Sequence, residues 1–142
     1  MSLFPSIQTT TAAYTQTQAL PMAEEVKWDF ARNVPVFRDG RPLTVTGKEA
    51  VKVWIWKALH TRRFIHQIYS YNYGCDIYRL IGQTYTLQLK ETEAARYIRE
   101  CLLINKYITA VRDVDVSFAD ALLTVSCTVD TIYGEVGVTT NV

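Results

Sequence analysis

The sequence predicts one small α+β domain, and three observations support that prediction. The dipeptide Asp39-Gly40, a strong hairpin signal, lies between two short runs of strand character. Two later stretches space their apolar residues as an amphipathic helix does, and two further runs alternate apolar and polar residues as strands do. We therefore expect an N-terminal β-hairpin, two longer helices with a short helix between them, and a C-terminal antiparallel hairpin in one sheet. A chain of 142 residues has the length of one ordinary domain.

The N-terminal segment, residues 1–23, differs from the rest of the chain. It carries no charge, is rich in Thr and Gln, and includes Pro5 and Pro21. Because it shows no helical or strand period, we expect an N-terminal arm without structure of its own. An arm that becomes ordered on a partner is the alternative, since its composition would suit an added β-strand. The folded domain is expected to span residues 24–142.

The N-terminal hairpin and the first helix follow the arm. Val26, Trp28 and Phe30 alternate toward one side, as in a half-buried strand. Thr46 and Glu49 form the pattern of a capping box, which predicts a helix of about 14 residues. The helix face expected to point into the core consists of Val51, Trp54, Ile55, Ala58 and Leu59.

Two apolar residues of this helix, Val53 and Trp56, fall outside the predicted core face. At about 100° per residue they lie among polar side chains, so we expect both to point outward. An outward Trp could lie under a neighbouring loop, or it could anchor a partner, because Trp is enriched at interface hot spots. We therefore treat Val53 and Trp56 as candidate partner-binding residues.

Two more helices are expected in the middle of the chain. A short helix follows Cys75 and ends at Gly82. The second long helix covers residues 91–105. Its inward residues are expected to be Ala94, Ala95, Ile98, Cys101 and Leu102.

The last third of the chain predicts two paired strands. The first strand turns at Ala119-Asp120 into its partner. Residues 133–142 are then expected to leave the sheet as an extension interrupted by glycines. The alternating residues that mark the two strands are Ile108, Ala110, Val114, Val116 and Phe118 in the first, and Leu123, Val125, Cys127 and Val129 in the second.

Composition and charge argue against several functions. Fifteen basic residues nearly cancel fourteen acidic ones, whereas a nucleic-acid-binding protein usually has a clear basic excess. The three cysteines are widely spaced and odd in number, which indicates buried free thiols and neither disulfides nor a zinc site. No apolar run has the ~20 residues of a membrane span, and no secretory signal is present, so we expect no membrane partner. From Asp113 onward the chain has five acids and no base, which predicts a basic body and an acidic C-terminal end.

No catalytic or metal-binding motif is present. The two histidines, His60 and His66, are six residues apart and lack neighbouring ligands, so we expect no metal site and no cofactor. A glycosidase would need two carboxylates a few ångströms apart, one of them with a raised pKa. The candidate acids, which no spacing distinguishes as a pair, are Glu49, Asp76, Glu100 and Asp130.

The segment from residue 59 to residue 76 combines basic residues with a tyrosine row. Arg62 and Arg63 follow the predicted first helix, where cations oppose its dipole. Tyr69, Tyr71 and Tyr73 would lie on one side of an extended segment, more often at the edge of a core than in contact with bases. A following glycine, Gly74, permits a bend with positive φ, so the segment is expected to brace the domain.

Several motifs in order resemble the XkdS-like baseplate family of contractile phages, defective prophages and phage-tail bacteriocins. They are VKWDF, DGRPLTVTGKEAVKVWIWKALHTRRF, IYSYNYG, LIG, INKYITAV and VDTIYGEV, and they cover about residues 24–137. The family resembles a branch of the wider baseplate wedge proteins once labelled lysozyme-like. That wider resemblance implies a sheath initiator, a small α+β protein whose sheet imitates a domain of the tail sheath subunit.

The resemblance also implies particular residues and partners. Thr61, Arg63 and Gly74 match the threonine, arginine and glycine of the wider family's T-x-G-E-R…F-G pattern, and Tyr69 lies in the IYS-x-x-YG motif. The wider family's Glu-Pro-Arg is replaced here by residues 105–107, so its contacts cannot be transferred. The implied partners are the tail sheath protein and baseplate wedge proteins, with several copies around the tail tube, assembled in the host cytoplasm and then part of the particle's baseplate.

The resemblance thus implies a structural baseplate subunit that nucleates sheath assembly by strand addition, and no enzyme. A strand edge within residues 121–138 is expected to be exposed in the free protein, and the C-terminal candidates for partner binding are Tyr133, Gly134, Val136 and Val138. A peptidoglycan hydrolase of the tail is the main alternative, and a small nucleic-acid-binding domain is another.

Overall fold

The computed structural model describes residues 19–65, 68–70, 72–119 and 122–142, so most of the predicted arm lies outside the described residues. Short strands precede the first helix, and a three-stranded antiparallel sheet follows the second, which confirms the predicted α+β class. The elements are β1 Glu24–Val26, β2 Trp28–Asp29, β3 Val34–Pro35, β4 Phe37–Arg38, β5 Arg41–Pro42, β6 Thr44–Thr46, α1 Lys48–His60, a 3₁₀ helix Ile77–Leu80, α2 Leu87–Leu103, β7 Ile108–Ala119, β8 Leu122–Thr131 and β9 Gly134–Asn141.

The N-terminal strands form the predicted hairpin, with one extra turn. β1 pairs with β6, β2 with β3 and β4 with β5, all antiparallel. Asp39 and Gly40 both have positive φ, 52° and 74°, as the tight turn of a two-residue hairpin requires. A second turn, before β3, has Asn33 at φ 57° and is held by Asp29, whose carboxylate accepts the amides of residues 31 and 32. We call residues 24–46 the N-terminal hairpin.

Helix α1 begins one residue later than the predicted capping box requires. Its N-cap is Gly47, with φ 65°, and no side chain caps the helix. The capping-box prediction is therefore wrong, because Thr46 lies in β6 opposite Glu24. The core face is close to the expected one. Val51, Ile55, Ala58 and Leu59 are buried, and Trp54 is half-buried against them.

Helix α2 is longer than predicted. It begins at Leu87, because the Thr86 hydroxyl accepts a hydrogen bond from the Leu89 amide (3.3 Å) and caps the helix. The first turn carries exposed leucines, which obscure the helical period there. The predicted short helix is a single 3₁₀ turn, followed by Gly82 at φ 80°. The residues of α2 that lie in the core are Ala94, Ile98, Cys101 and Leu102, with Ala95 half-buried.

The C-terminal sheet has three strands where two were expected. The hairpin of β7 and β8 is as predicted, although Asp120 of its turn lies outside the described residues. Residues 134–141, expected to leave the sheet, instead pair along β8 without a break as β9. Strand β8 is therefore central and paired on both sides, so an open edge within 121–138 can belong only to β9.

The core lies between the inner face of this sheet and the two α-helices. β8 alternates buried and half-exposed residues, and β9 adds Val136 and Val138 to the buried set. All three cysteines are buried free thiols, and burial raises the pKa of Cys127 to about 11. Among the described helices, none is both long and apolar enough to cross a membrane.

Candidate functional site

The motif residues around the end of α1 meet in one turn. The Cys75 amide donates to the Thr61 carbonyl (2.9 Å), and Arg62 and Cys75 form an isolated parallel bridge. Gly74 has a φ of +109°, and a Cβ there would lie 2.9 Å from the Thr61 carbonyl oxygen and 3.0 Å from the Arg63 backbone. Only glycine fits this approach without a shift of the backbone. We call residues 61–63 with 72–76 the motif turn.

The side chain of Arg63 lies inside the motif turn. Its guanidinium is 3.5 Å from the Asp76 carboxylate and donates to the Asn72 side-chain oxygen (3.1 Å). It also lies over the Phe64 ring, 4.7 Å from the centroid. Asp76 has a second arginine partner, Arg79, at 3.7 Å. These contacts are internal, so the position of Arg63 suits a bracing role.

The tyrosines pack beside the motif turn. Tyr69 is exposed, with its ring centroid 4.7 Å from that of Tyr73. Tyr73 meets Trp54 edge-on at 5.8 Å, and burial raises the pKa of Tyr73 to about 12. Tyr71 lies outside the described residues. The two described tyrosines therefore form a core edge rather than an open row.

The residues that replace the Glu-Pro-Arg motif anchor the start of the domain. The Tyr107 hydroxyl donates to the Pro21 carbonyl (2.7 Å), and its ring stacks on Tyr133 at 6.1 Å. The Tyr133 hydroxyl in turn accepts the Ala23 amide at 2.9 Å. Tyr133, a candidate for partner binding, is thus half-buried and already engaged within the chain.

Two adjoining clefts run between α1 and β9. One has a volume of about 440 Å³ and the other of about 610 Å³, and they share Phe30, Lys52 and Gly137. We call the two clefts together the β9 groove. One wall is α1, the other is β9, and the N-terminal hairpin closes one side. The lining residues are Lys27, Trp28, Phe30, Val45, Lys48, Glu49, Lys52, Val53, Trp56, His60 and residues 135–141.

Four of the six predicted partner-binding residues line the β9 groove. They are Val53, Trp56, Val136 and Val138, whereas Tyr133 and Gly134 are not among its lining residues. The prediction that Val53 points outward is wrong, because it is only 4% exposed. A helical wheel assumes one covered face, but α1 is covered by the sheet on one side and by the N-terminal hairpin on another. The valines of β9 are buried as well.

Trp56 lies partly under the N-terminal hairpin. Its ring stacks on His60 (centroids 4.0 Å apart) and contacts Trp28 at 5.6 Å and Phe30 at 5.9 Å. Of the two possibilities for an outward Trp, cover by a neighbouring segment therefore applies. The same half-buried ring still lines the β9 groove, so contact with a partner is compatible with this packing.

The outer edge of β9 is open along most of its length. The Val142 amide donates to the Leu123 carbonyl (2.8 Å), and the alternation of an antiparallel ladder then directs the amides of even-numbered residues toward β8. The backbone groups of Glu135, Gly137 and Thr139 consequently point away from the sheet. No backbone group in the described part of the chain pairs with them there.

His60 occupies the end of this edge. Its Nε2 lies 3.0 Å from the carbonyl oxygen of Asn141, and its Nδ1 lies 2.8 Å from the carbonyl oxygen of Trp56. The imidazole therefore ties the end of α1 to the end of β9. An added strand could pair with the three free residues before Asn141 but would meet His60 beyond them.

The other edge of the sheet, on β7, is irregular. Its pairing with β8 shifts register between Ile108 and Ala110 and again between Arg112 and Asp115, where Asp113 has a φ of 52°. Bulges and charged residues are the usual means by which proteins protect a sheet edge from further pairing. β9 has neither a bulge nor a positive-φ residue within its paired length after Gly134.

The acidic C-terminal end is partly neutralised on the outer face of the sheet. Arg112 makes two hydrogen bonds to the Asp130 carboxylate (2.6 and 2.7 Å) and one to Glu135 (3.1 Å). The Arg112 guanidinium lowers the pKa of the Asp130 carboxyl. The expected division into a basic body and an acidic end therefore did not take Arg112 into account. This base precedes the acids in the sequence and pairs with two of them in the sheet.

Several lining residues were not identified from the sequence. Among them are Lys48, Lys52 and His60, which together with the predicted Trp56 lie four residues apart and form one stripe of α1. The spacing of four residues is visible in the sequence and places these side chains on one face of the helix. Polar residues on a helix, however, usually mark a solvated face. Phe30 and the β9 edge could be assigned only from the tertiary structure. Within the described ranges, no cluster of three His, Cys, Asp or Glu side chains could hold a metal ion.

Comparison with known proteins identifies the family. A family model described as contractile injection system sheath initiator matches residues 24–134. The phage-like element PBSX protein XkdS of Bacillus subtilis (strain 168) is 32% identical over 101 residues, which cover 69% of this chain and 72% of that protein. This family is a structural one, and the match makes the chain a component of a contractile tail or a related particle. The chain therefore belongs to the contractile injection system sheath initiator family.

Proposed function

We propose that this subunit joins the baseplate wedge and starts sheath assembly by pairing its β9 edge with an extended arm of the tail sheath protein. Several copies around the tail tube would offer this edge to the first sheath ring. The subunit would assemble in the host cytoplasm and remain in the baseplate of the finished particle. Family membership supports the sheath as the partner, and the sheet supports the mode of binding.

The open, regular edge of β9 carries this proposal. Glu135, Gly137 and Thr139 each present one backbone donor and one acceptor away from β8. Each bond gained by an added strand contributes about 0.5–1.5 kcal/mol net, and the repeated copies of a ring add avidity. The β7 edge is a poorer acceptor because its bulges interrupt the ladder.

The arrangement of the acids supports a role without catalysis. A glycosidase acid needs a raised pKa, whereas Asp130 has a lowered one beside Arg112. Asp76 is paired with Arg63, and Glu100 with Arg96. Of the four acids that the sequence offered, only Glu49 lines the β9 groove. This arrangement favours the structural role over the hydrolase alternative.

The proposal is tested by blocking the edge without removing the strand. Gly137→Pro deletes an outward-facing amide, and no atom of the described residues lies within 4 Å of the position of a Cβ at Gly137. We expect a folded subunit that enters baseplates which carry no sheath. Particles are examined by electron microscopy, and the fold is checked by thermal unfolding of the purified variant.

The matched control is the neighbouring residue, whose amide points toward β8. Val138→Pro removes a ladder hydrogen bond and a buried side chain, so we expect it to unfold the subunit. If Gly137→Pro folds normally and still yields fully sheathed particles, β9 is not the edge that the sheath uses.

A further inference from the structure

Among the described side chains that line the β9 groove, more positive than negative charges lack an ion-pair partner. Lys27, Lys48 and Lys52 line it, and none of them forms an ion pair with a described residue. Lys52 lies over the Phe30 ring at 5.7 Å. Lys48 extends toward the start of β9, where a Cβ at Gly134 would lie 3.4 Å from its Nζ.

The carboxylates of the groove do not balance these lysines. Glu135 is engaged by Arg112, which also holds Asp130. Glu49 is the remaining acid of the lining and has no ion-pair partner among the described residues. Within the part of the chain that the structure describes, the groove lining therefore has three ammonium groups without an ion-pair partner and one such carboxylate. Burying such charges under a bound segment is unfavourable unless that segment supplies the opposite charge.

We propose that the β9 groove selects an extended segment of another protein in which apolar and acidic side chains face α1. This inference rests on the proposed function, because it concerns the chemistry of the strand that pairs with β9. The acidic C-terminal end would by itself favour a basic partner, and the proposal differs from that. Two of the five acids of that end, Asp130 and Glu135, are held by Arg112. The lysines of α1 and the hairpin that line the groove have no ion-pair partner among the described residues.

The geometry of an added strand explains why both kinds of side chain are needed. Alternate side chains of such a strand would lie on the same side of the sheet as Val136 and Val138, toward α1. There they meet apolar surface from Val53 and Trp56, and the ammonium groups of Lys48 and Lys52. An apolar side chain suits the first surface, and a carboxylate suits the second.

The length of the segment follows from the two ends of the edge. Pairing can start beside Glu135 and extends to Thr139, because His60 holds the Asn141 carbonyl. The segment therefore pairs with β9 over about five residues, by main-chain hydrogen bonds as in other cases of recognition by strand addition. The chain's own residues 1–23 are a poor occupant, because they carry no carboxylate.

Synthetic peptides test the inference on the full chain. The binding of four peptides with blocked ends is compared. Each has at least about seven residues, so that it can pair with the whole open edge by strand addition. Three of them carry Val and a variable residue in turn at every second position, with Thr between them, so that Val and the variable residue face the same side of the strand. The variable residue is Glu, Gln or Lys, and the fourth peptide has the sequence of residues 1–18. Binding is measured from the fluorescence of the groove tryptophans and from NMR shifts of residues 135–141. We expect the Glu peptide to bind about ten-fold more tightly than the Lys peptide, and to weaken as salt rises.

Charge reversal provides the matched control. In a Lys48→Glu, Lys52→Glu double variant, whose two sites are exposed on α1, we expect the preference to shift to the Lys peptide. Equal binding of the Glu, Gln and Lys peptides, abolished by Gly137→Pro, would overturn the acidic preference and leave the proposed strand addition intact. Binding of none of them would contradict both. Tightest binding of the 1–18 peptide would assign the groove to the chain's own arm.

Discussion

At Gly74 two separate constraints act on one residue. The φ of +109° disfavours any side chain, and the Thr61 carbonyl oxygen would lie 2.9 Å from a Cβ. Gly82 has a similar positive φ of +80°, but no atom in the described ranges lies within 4 Å of a Cβ placed there. A side chain at Gly82 would therefore carry only the conformational cost of a positive φ, whereas one at Gly74 would carry a steric cost as well.

We predict that Gly74→Ala lowers the free energy of unfolding by more than Gly82→Ala does. The φ strain costs about 1–3 kcal/mol at either position. The clash at Gly74 adds to it, because backbone atoms must shift. Urea denaturation of both variants measures the difference. Equal losses would mean that the turn relaxes freely around residue 74 and that the close approach is unimportant.

Sequence patterns record the local surroundings of a residue better than the places where two surfaces meet. The resemblance selected Thr61, Arg63 and Gly74, and these three residues do lie in one turn. Val53 was misjudged because the sequence does not show that a hairpin covers a second side of α1. A residue's environment is set by tertiary contacts, which helical periodicity records for only one face at a time.

At the scale of elements, the types of the main helices and strands were predictable and their ends were not. The long helices, the Asp39-Gly40 turn and the β7–β8 hairpin each follow from a repeated pattern or a turn dipeptide. β9 was missed because Gly134 and Gly137 interrupt its alternation, although the pairing with β8 is continuous. Its valines gain their burial from α1 and β8, and that gain outweighs the weak intrinsic preference of glycine for strands.

The N-termini of the two α-helices allow a test at this scale. The cap predicted for α1 was wrong, whereas α2 has a side-chain cap that was not recognised in the sequence. We predict that Thr86→Ala lowers the free energy of unfolding by about 1 kcal/mol, since the Leu89 amide loses its acceptor. Thr46→Ala should change it by less than that, because Gly47 rather than Thr46 is the N-cap of α1. Thermal unfolding of both variants decides between the two residues. A larger loss at Thr46 would show that α1 is capped from β6 after all.

At the scale of the whole molecule, β9 belongs to the core that the helices and the sheet share. It covers one side of β8, adds two buried valines, and bonds to α1 through His60. The sequence predicts that this segment leaves the sheet, which would make residues 134–142 dispensable for the domain, and the packing does not support that. Function and folding use the same strand. Its inner edge and inward side chains stabilise the sheet, and its outer edge remains available.

We predict that deletion of residues 134–142 prevents cooperative folding. Removing two buried valines alone costs about 1.5–3 kcal/mol each, against a total stability of about 5–15 kcal/mol for a domain. The deletion also leaves one side of β8 without its ladder.

Cys127 reports the outcome, because burial raises the pKa of its thiol to about 11 and keeps it unreactive in the intact chain. In the truncated chain that thiol should react with a disulfide reagent near pH 8 as an exposed cysteine does. The full-length Gly137→Pro variant serves as the control and should keep Cys127 protected. A truncated chain that unfolds cooperatively with Cys127 protected would show that the core is complete without β9.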